Sequence, residues 1–410
     1  MATCTNRTTA DSSAAQLYMA EEDCWGADPN TISPRPVLTA VRFTGESLVH
    51  NTESVTSNEI RSDSQITDQV RVGVGASGDV NFELSYGTFD RFFEGALRNN
   101  WTDEIDLNVG SPVDADVTIS VSPSTLSFAG SPNPLVDVQV GQFLQVTNSQ
   151  SSPSNNGYYE VTENSAGTLT VTPAFSSDET NSLVRVHGSH LRNGTTKKSY
   201  LIEKRFTDLS PIEYLYFTGM RVGGVSATIE PGSILTGTLS FLGKRGFAQN
   251  VSAGLSDTEA PTGDVANAVD NISNILLDGT ALDADLTSMS FEINNNTRDK
   301  PAIANLGNID IGLGRFNVNG SIVMYFSSRT LYDKYLAFTA HSWSFVVSVG
   351  NDAYVFHFPS IKFSEGQILS EGNDGDVLAD MSFQARRDPT LGYTMGIDRF
   401  STASEGSELS

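Results

Sequence analysis

The chain is poor in cysteine, in positive charge and in long apolar runs, and each shortage removes a class of function. Only Cys4 and Cys24 occur in 410 residues. A disulfide between them would need an oxidising compartment, and a zinc site needs about four ligands where no His lies nearby, so two free thiols are the preferred reading. No apolar run approaches the ~20 residues that a spanning helix requires. The opening Met-Ala-Thr-Cys-Thr-Asn-Arg lacks the charged and apolar regions of a secretory signal. A soluble product, made and folded in a cytoplasm without membrane insertion, is therefore expected. Lys and Arg number 25 against 49 Asp and Glu, for a net charge of −24. Such a surface repels the phosphate backbone of nucleic acid, whose binding is driven by Lys and Arg releasing counterions; it also keeps an abundant protein in solution.

Reactive constellations are missing as well. There is no Gly-x-Ser-x-Gly, no P-loop and no His-Glu-x-x-His. Gly73-Val-Gly-Ala-Ser-Gly78 has the spacing of a dinucleotide-binding loop, but it opens a strand rather than a helix; with Gly312-Leu-Gly it reads as a flexible hairpin turn. His187-Gly-Ser-His190 has no evident carboxylate partner and reads as loop histidines. Glu371-Gly-Asn-Asp-Gly-Asp376 lacks the full ligand set of a calcium loop and reads as a solvated acidic turn. No enzyme, cofactor or metal is expected.

What the chain has is a repeat. Gly78-Asp-Val-Asn-Phe-Glu-Leu-Ser reappears as Gly320-Ser-Ile-Val-Met-Tyr-Phe-Ser, and Gly237-Thr-Leu-Ser-Phe-Leu-Gly-Lys-Arg as Ala379-Asp-Met-Ser-Phe-Gln-Ala-Arg-Arg. Leu38…Phe43 corresponds to Leu286…Phe291, Trp101 to Trp343, and Tyr214…Phe217 to Tyr354…Phe358. The spacing between copies shortens by roughly a hundred residues after Trp101, the size of a small domain. The organisation expected is an extended N-terminal arm (1–35), a discontinuous first unit (36–101 and 199–245) and an insert (102–198). A linker with a short helix (246–280), a second unit (281–402) and a tail (403–410) follow.

Within each unit the hydrophobic period switches from two to 3.6. Val80, Phe82 and Leu84 alternate with Asn81, Glu83 and Ser85, as in a strand with one buried face. Phe89, Phe92, Phe93, Ala96 and Leu97 then fall at helical spacing after Thr88, an expected N-cap. In copy two Thr330-Leu-Tyr-Asp333 resembles a capping box, with Leu331, Tyr335 and Phe338 continuing a helical stripe. Val265, Val269, Ile272 and Leu276 suggest the linker helix. The insert shows short strand candidates at Val117–Val121, Phe143–Val146, Tyr158–Val161, Thr168–Val171 and Leu183–His187, separated by turn chemistry, so a small all-β barrel or sandwich is expected. The polar stretch His50–Val70 is longer than an ordinary hairpin connection.

Taken in order, Ser57-Asn-Glu-Ile-Arg-Ser-Asp-Ser-Gln65, Gly78 through Gly95, Ser189–Thr195, Tyr200–Phe206, Phe217–Val222 and Phe358–Phe363 resemble the tail tube (major tail) proteins of long-tailed, non-contractile bacteriophages. The likeness spans roughly residues 36 to 400. It implies a mainly β fold: two duplicated tail-tube domains, each of packed antiparallel sheets with one flanking helix, plus the small inserted all-β domain. It further implies a virion protein whose rings, each of three copies in pseudo-sixfold arrangement, stack into a tail tube. Genome DNA would pass through that channel without specific binding, and the tape measure, tail terminator and distal tail proteins would be partners. The long loops His50–Val70 and Asn294–Gly314 would reach the next ring, making Glu59, Arg61, Asp63, Arg298, Asp299 and Lys300 candidates for fixing ring register; the alternative is that these are solvated loop charges. The lumen would carry more carboxylates than Lys and Arg, the insert would decorate the exterior, and the arm would clasp a neighbouring subunit. A different class, a β-rich carbohydrate-binding or adhesin protein, would make the insert the working part.

Overall fold

The computed structural model describes residues 9–108, 115–370, 372–373 and 375–401. Cys4, Glu371, Asp374 and the tail 403–410 lie outside these. Strands dominate the described residues, with two α-helices, α1 (Asp90–Leu97) and α2 (Thr330–Ala337).

Alternation builds the strands. In Gln69–Glu83, Val80 and Phe82 are buried while Asp79 and Asn81 are exposed. The aromatic stripe builds α1, whose Phe92, Phe93, Ala96 and Leu97 are buried together with Phe89. The cap differs from expectation: Phe89 holds the N-cap position, while the Thr88 hydroxyl lies 2.9 Å from that of Ser85. Likewise no capping box forms at α2, because Thr330 is already helical and Asp333 pairs with Arg329 at 3.1 Å.

The two copies of the repeat pair in one register. Gly78 lies opposite Phe241 and Val80 opposite Leu239; Gly320 lies opposite Phe383 and Ile322 opposite Met381. A bulge between Val222 and Gly224 is matched by one between Phe363 and Glu365. A second bulge, between Tyr200 and Ile202, is matched by one between His341 and Trp343. This last pair corrects the alignment, since Trp343 faces Phe358 where Ile202 faces Phe217. Trp101 has no such place; it lies beyond α1, with the Arg399 guanidinium 4.8 Å over its ring.

Further expectations change for identifiable reasons. Ala15–Glu21, read as arm, is a strand between Tyr200–Phe206 and Val37–Val41. Leu17, Tyr18, Met19 and Ala20 are all buried, so both faces are covered and no period of two marks it. Ile272–Leu277, whose spacing imitates a helix, is a strand against His341–Val349. The two segments occupy equivalent positions in the pairing, Met19 opposite Ile202 and Leu277 opposite Trp343. The glycine-rich segment is no turn but lies inside Gln69–Glu83. There Gly78, at φ +145°, lets the backbone of Ser47 and Leu48 approach to where a Cβ would sit, 2.5 Å from the Ser47 oxygen.

The insert carries its own core of residues such as Val117, Ile119, Leu126, Val146, Val161, Leu169 and Val186. Its strands include four of the five expected segments and the Arg185–His187 part of the fifth, whose Leu183 and Val184 precede the strand, and they add Ser124–Phe128 and Glu179–Asn181. One sheet runs unbroken through both units. Its order is Val49–Thr56, Gln69–Glu83, Thr236–Gly243, Glu213–Ile229, then Leu286–Asn294, Asn317–Tyr325, Val377–Ala385 and Asp352–Ser370. The joint between units is the antiparallel pairing of Gly224–Ile229 with Met289–Asn294.

Candidate assembly surfaces

The segment His50–Val70 is not a loose loop. Val49–Thr56 pairs with Gln69–Ser77 to make a two-stranded ribbon, and every residue of Val49–Thr56 is exposed. At its tip Ile60 is 98% and Ile66 74% exposed. Arg61 and Asp63 lie there, paired with each other at 3.0 Å, and that guanidinium holds the Asp63 carboxyl below its ordinary range. Glu59 is exposed beside them.

The equivalent hairpin of the second unit, Arg298–Pro301 with Asn308–Gly312, is tied down. Arg298 donates to the Leu313 carbonyl (3.3 Å), Asp299 accepts from Asn308 (2.5 Å) and Lys300 donates to Asp310 (2.8 Å). Asp310 also meets Arg221 of the first unit at 2.7 Å and Lys197, at the end of the insert, at 3.3 Å. Burial opposes its ionisation, but Lys300, Arg221 and Lys197 overcome this and hold its carboxyl down to about 2. Asp310 carries no sequence signal, because two of its three partners, Lys197 and Arg221, lie far away in the chain. Thus Lys300 joins a cluster that reaches across the chain, whereas Arg61 pairs with Asp63, which also accepts from the Gln65 backbone N–H at 3.3 Å, within the ribbon tip. Both hairpins present apolar tips, with Ile303 100% exposed; clustered exposed apolar side chains mark contact surfaces.

The contact between units is polar as well as apolar. The α1 residue Asp90 accepts from Tyr354 and Arg399, and Phe93 packs against Tyr354 and Phe356 with ring centroids 6.1 and 6.5 Å away. Arg98 donates to the Asn295 side chain at 2.7 Å and to its carbonyl at 2.9 Å. The histidines expected on a loop lie in the strand Arg185–Arg192, both buried; this strand pairs with Gly396–Phe400 and fixes the insert to the second unit. His190 Nδ1 is 2.8 Å from Asp398, the carboxylate absent from its sequence neighbourhood. Cys24 is exposed.

The long sheet also has an outward side. The segments 77–83, 224–229, 236–242, 288–294, 317–323, 365–370 and 378–384 contain no Lys or Arg, but they contain Asp79, Glu83, Glu292, Glu365 and Asp380. Ser, Thr, Asn and Gln fill most of the remaining outward positions, and Thr238 bonds Asn81 across strands at 2.9 Å. A face of this kind offers hydrogen bonds and negative charge, with no cation to hold a polyanion.

A model of the phage tail tube protein family matches residues 12–385. The chain belongs to the phage tail tube protein family. The match begins within three residues of the strand Ala15–Glu21. No curated protein matches the chain. A tail tube protein is a structural component of the virion, assembled from copies of itself within the phage tail. Among the described residues, no helix is long and apolar enough to cross a membrane, and no group of three or more His, Cys, Asp or Glu could hold a metal ion.

Proposed function

We propose that three copies of this chain form a pseudo-sixfold ring, and that stacked rings make the tail tube through which genome DNA leaves the capsid. The observation that carries the reading is the common strand register of the two units, with two matched bulges, joined in one continuous sheet. Two like units per chain supply six ring positions from three subunits. The outward side of the sheet over residues 77–83, 224–229, 236–242, 288–294, 317–323, 365–370 and 378–384, stretches without Lys or Arg, is the wall of the channel; a negative wall keeps DNA from adhering as it passes. No catalytic step is part of this role, and the adhesin alternative is not favoured by the family.

The projecting ribbon 49–77 reaches the next ring, with Glu59, Arg61 and Asp63 at its tip. Arg298, Asp299 and Lys300 act from the shorter, anchored hairpin and set where the ribbon lands. The tape measure, terminator and distal tail proteins meet the assembled tube, and the insert sits on its exterior. Replacing Ile60 by Asp, or reversing charge with Arg61→Glu and Asp63→Lys, is expected to shorten or abolish tubes. The melting temperature of the unassembled chain should move by no more than about 2 °C, because exposed substitutions perturb stability little. Tubes of normal length from both variants would refute the role of the ribbon.

A further inference from the structure

One strand runs from the insert into the second unit. In Arg185–Arg192, Val186 and His187 pair with Val146 and Gln145 of the insert, whereas Ser189–Arg192 pairs with Gly396–Arg399 of the second unit. Gly188 stands between the two pairings, where a Cβ would lie 2.9 Å from the Phe400 ring. Around this crossing the two bodies meet through side chains. Phe143 of the insert packs with Val346, Ala353, Val355 and Phe400, and the Tyr158 ring lies 5.2 Å from that of Phe400. The insert keeps a separate core of its own.

The polar groups in this contact are arranged for a neutral carboxyl. Tyr393 donates its hydroxyl proton to the Gly141 carbonyl at 3.0 Å, so the 3.1 Å contact with His357 Nδ1 requires that nitrogen to carry the hydrogen. His357 Nε2 is then a bare acceptor, and it faces Glu160 at 3.8 Å. A protonated acid suits that acceptor, whereas a carboxylate meets a lone pair. Asp398 and Asp388 of the second unit act on Glu160, and His190 and Asp388 act on His357. His190 Nδ1 is itself 2.8 Å from Asp398, and Arg192 acts on Tyr393. Among the described residues, no Lys or Arg pairs with Glu160. At the α1 contact, by contrast, Asp90 has the Arg399 guanidinium, whose charge pH does not remove. Both nitrogens of His187, Nε2 of His190 and Oδ2 of Asp398 are buried without a hydrogen-bond partner, a cost that weakens the contact.

We propose that this contact is a proton-operated hinge: with Glu160 protonated the insert is held on the second unit, and on loss of that proton it swings away about Gly188 with its own core intact. Burial, followed by Asp398 and Asp388, pushes the Glu160 carboxyl up to about 7 in the closed form. Water around the opened form returns it to the ordinary value of 4.5. Opening therefore releases a proton, so it gains ground as pH rises from about 4.5 to about 7 and levels off above. His187 and His357, held down to about 3 chiefly by burial, stay neutral over that window and offer no counter-charge. The swing bares Phe143, Val355 and Phe400. The hinge belongs to the single chain and does not rest on the tube reading.

The test is thiol labelling of the full-length chain carrying Cys4→Ser and Cys24→Ser, with a reporter cysteine under the insert, Val355→Cys or, at a second site, Ala353→Cys. Both positions are buried in the closed form. Rates are divided by those of the unfolded chain at the same pH, which removes the reactivity of the thiolate itself. From pH 5 to pH 8 labelling should rise more than about tenfold, and adding Glu160→Gln should abolish the rise. At pH 8 it should also exceed by more than about tenfold the labelling of Val80→Cys, a core position of the first unit that only global unfolding exposes. A rate that does not rise, that rises equally with Glu160→Gln, or that never exceeds that of Val80→Cys would overturn the hinge.

Discussion

At the residue scale, the buried polar groups between insert and second unit give the molecule its clearest pH dependence. Glu160, on the insert strand Gly157–Ser165, lies 3.8 Å from His357. Burial, then the nearby Asp398 and Asp388, push its carboxyl up to about 7. His357 offers no compensating charge, because its own burial lowers it to about 3. With a folded value above the unfolded one, the native state holds a proton that the unfolded chain has released, so stability falls as pH rises from about 4.5 to about 7. Glu160→Gln should remove this loss, stabilising the protein by about 1–3 kcal/mol at pH 8 and leaving it unchanged at pH 4. Denaturant unfolding at the two pH values checks this; equal effects at both would contradict it. Asp310 has the opposite sign, with a depressed carboxyl whose contribution persists above about pH 4 and is lost only as pH falls toward 2.

At the scale of elements, α1 and α2 are alike in position and unlike in cover, since α2 leaves Leu336 at 63% exposure. Phe93→Ala in α1 opens a cavity in a closed core and should cost about 3–5 kcal/mol. Leu336→Asp in α2 should leave the unassembled chain near its original stability, within about 0.5 kcal/mol, while weakening assembly. Thermal melting paired with sedimentation reads both; a large stability loss from Leu336→Asp would mean that α2 is covered within the chain. The same elements show how far the sequence could be read. One-sided strands such as Gln69–Glu83 and the stripe of α1 were legible because alternating or helical burial leaves a period. Ala15–Glu21 was not, since burial on both faces erases the period, and Ile272–Leu277 was misread because four apolar residues fell at helical spacing. Of the candidate assembly residues, the location of Arg61 and Asp63 at an exposed tip was legible from the length of the polar stretch. The anchoring of Lys300 was not, because it depends on Asp310 meeting Lys197 and Arg221 across more than eighty residues of chain.

For the whole molecule, the continuous sheet, the basic-free face and the projecting ribbon form one design. In the proposed tube the outward face of the sheet is the surface to which DNA does not adhere, and the ribbon is the contact to the next ring. In the proposed ring, an insert in the first unit alone would stand at three of the six positions. Electron microscopy of the purified full-length chain at high concentration tests this most directly. The expected result is rings or hollow tubes with pseudo-sixfold end views, three external protrusions per ring, and a channel wall bearing Asp79, Glu292 and Asp380. Persistent monomers at all concentrations, or tubes whose channel is lined mainly by Lys and Arg, would contradict it.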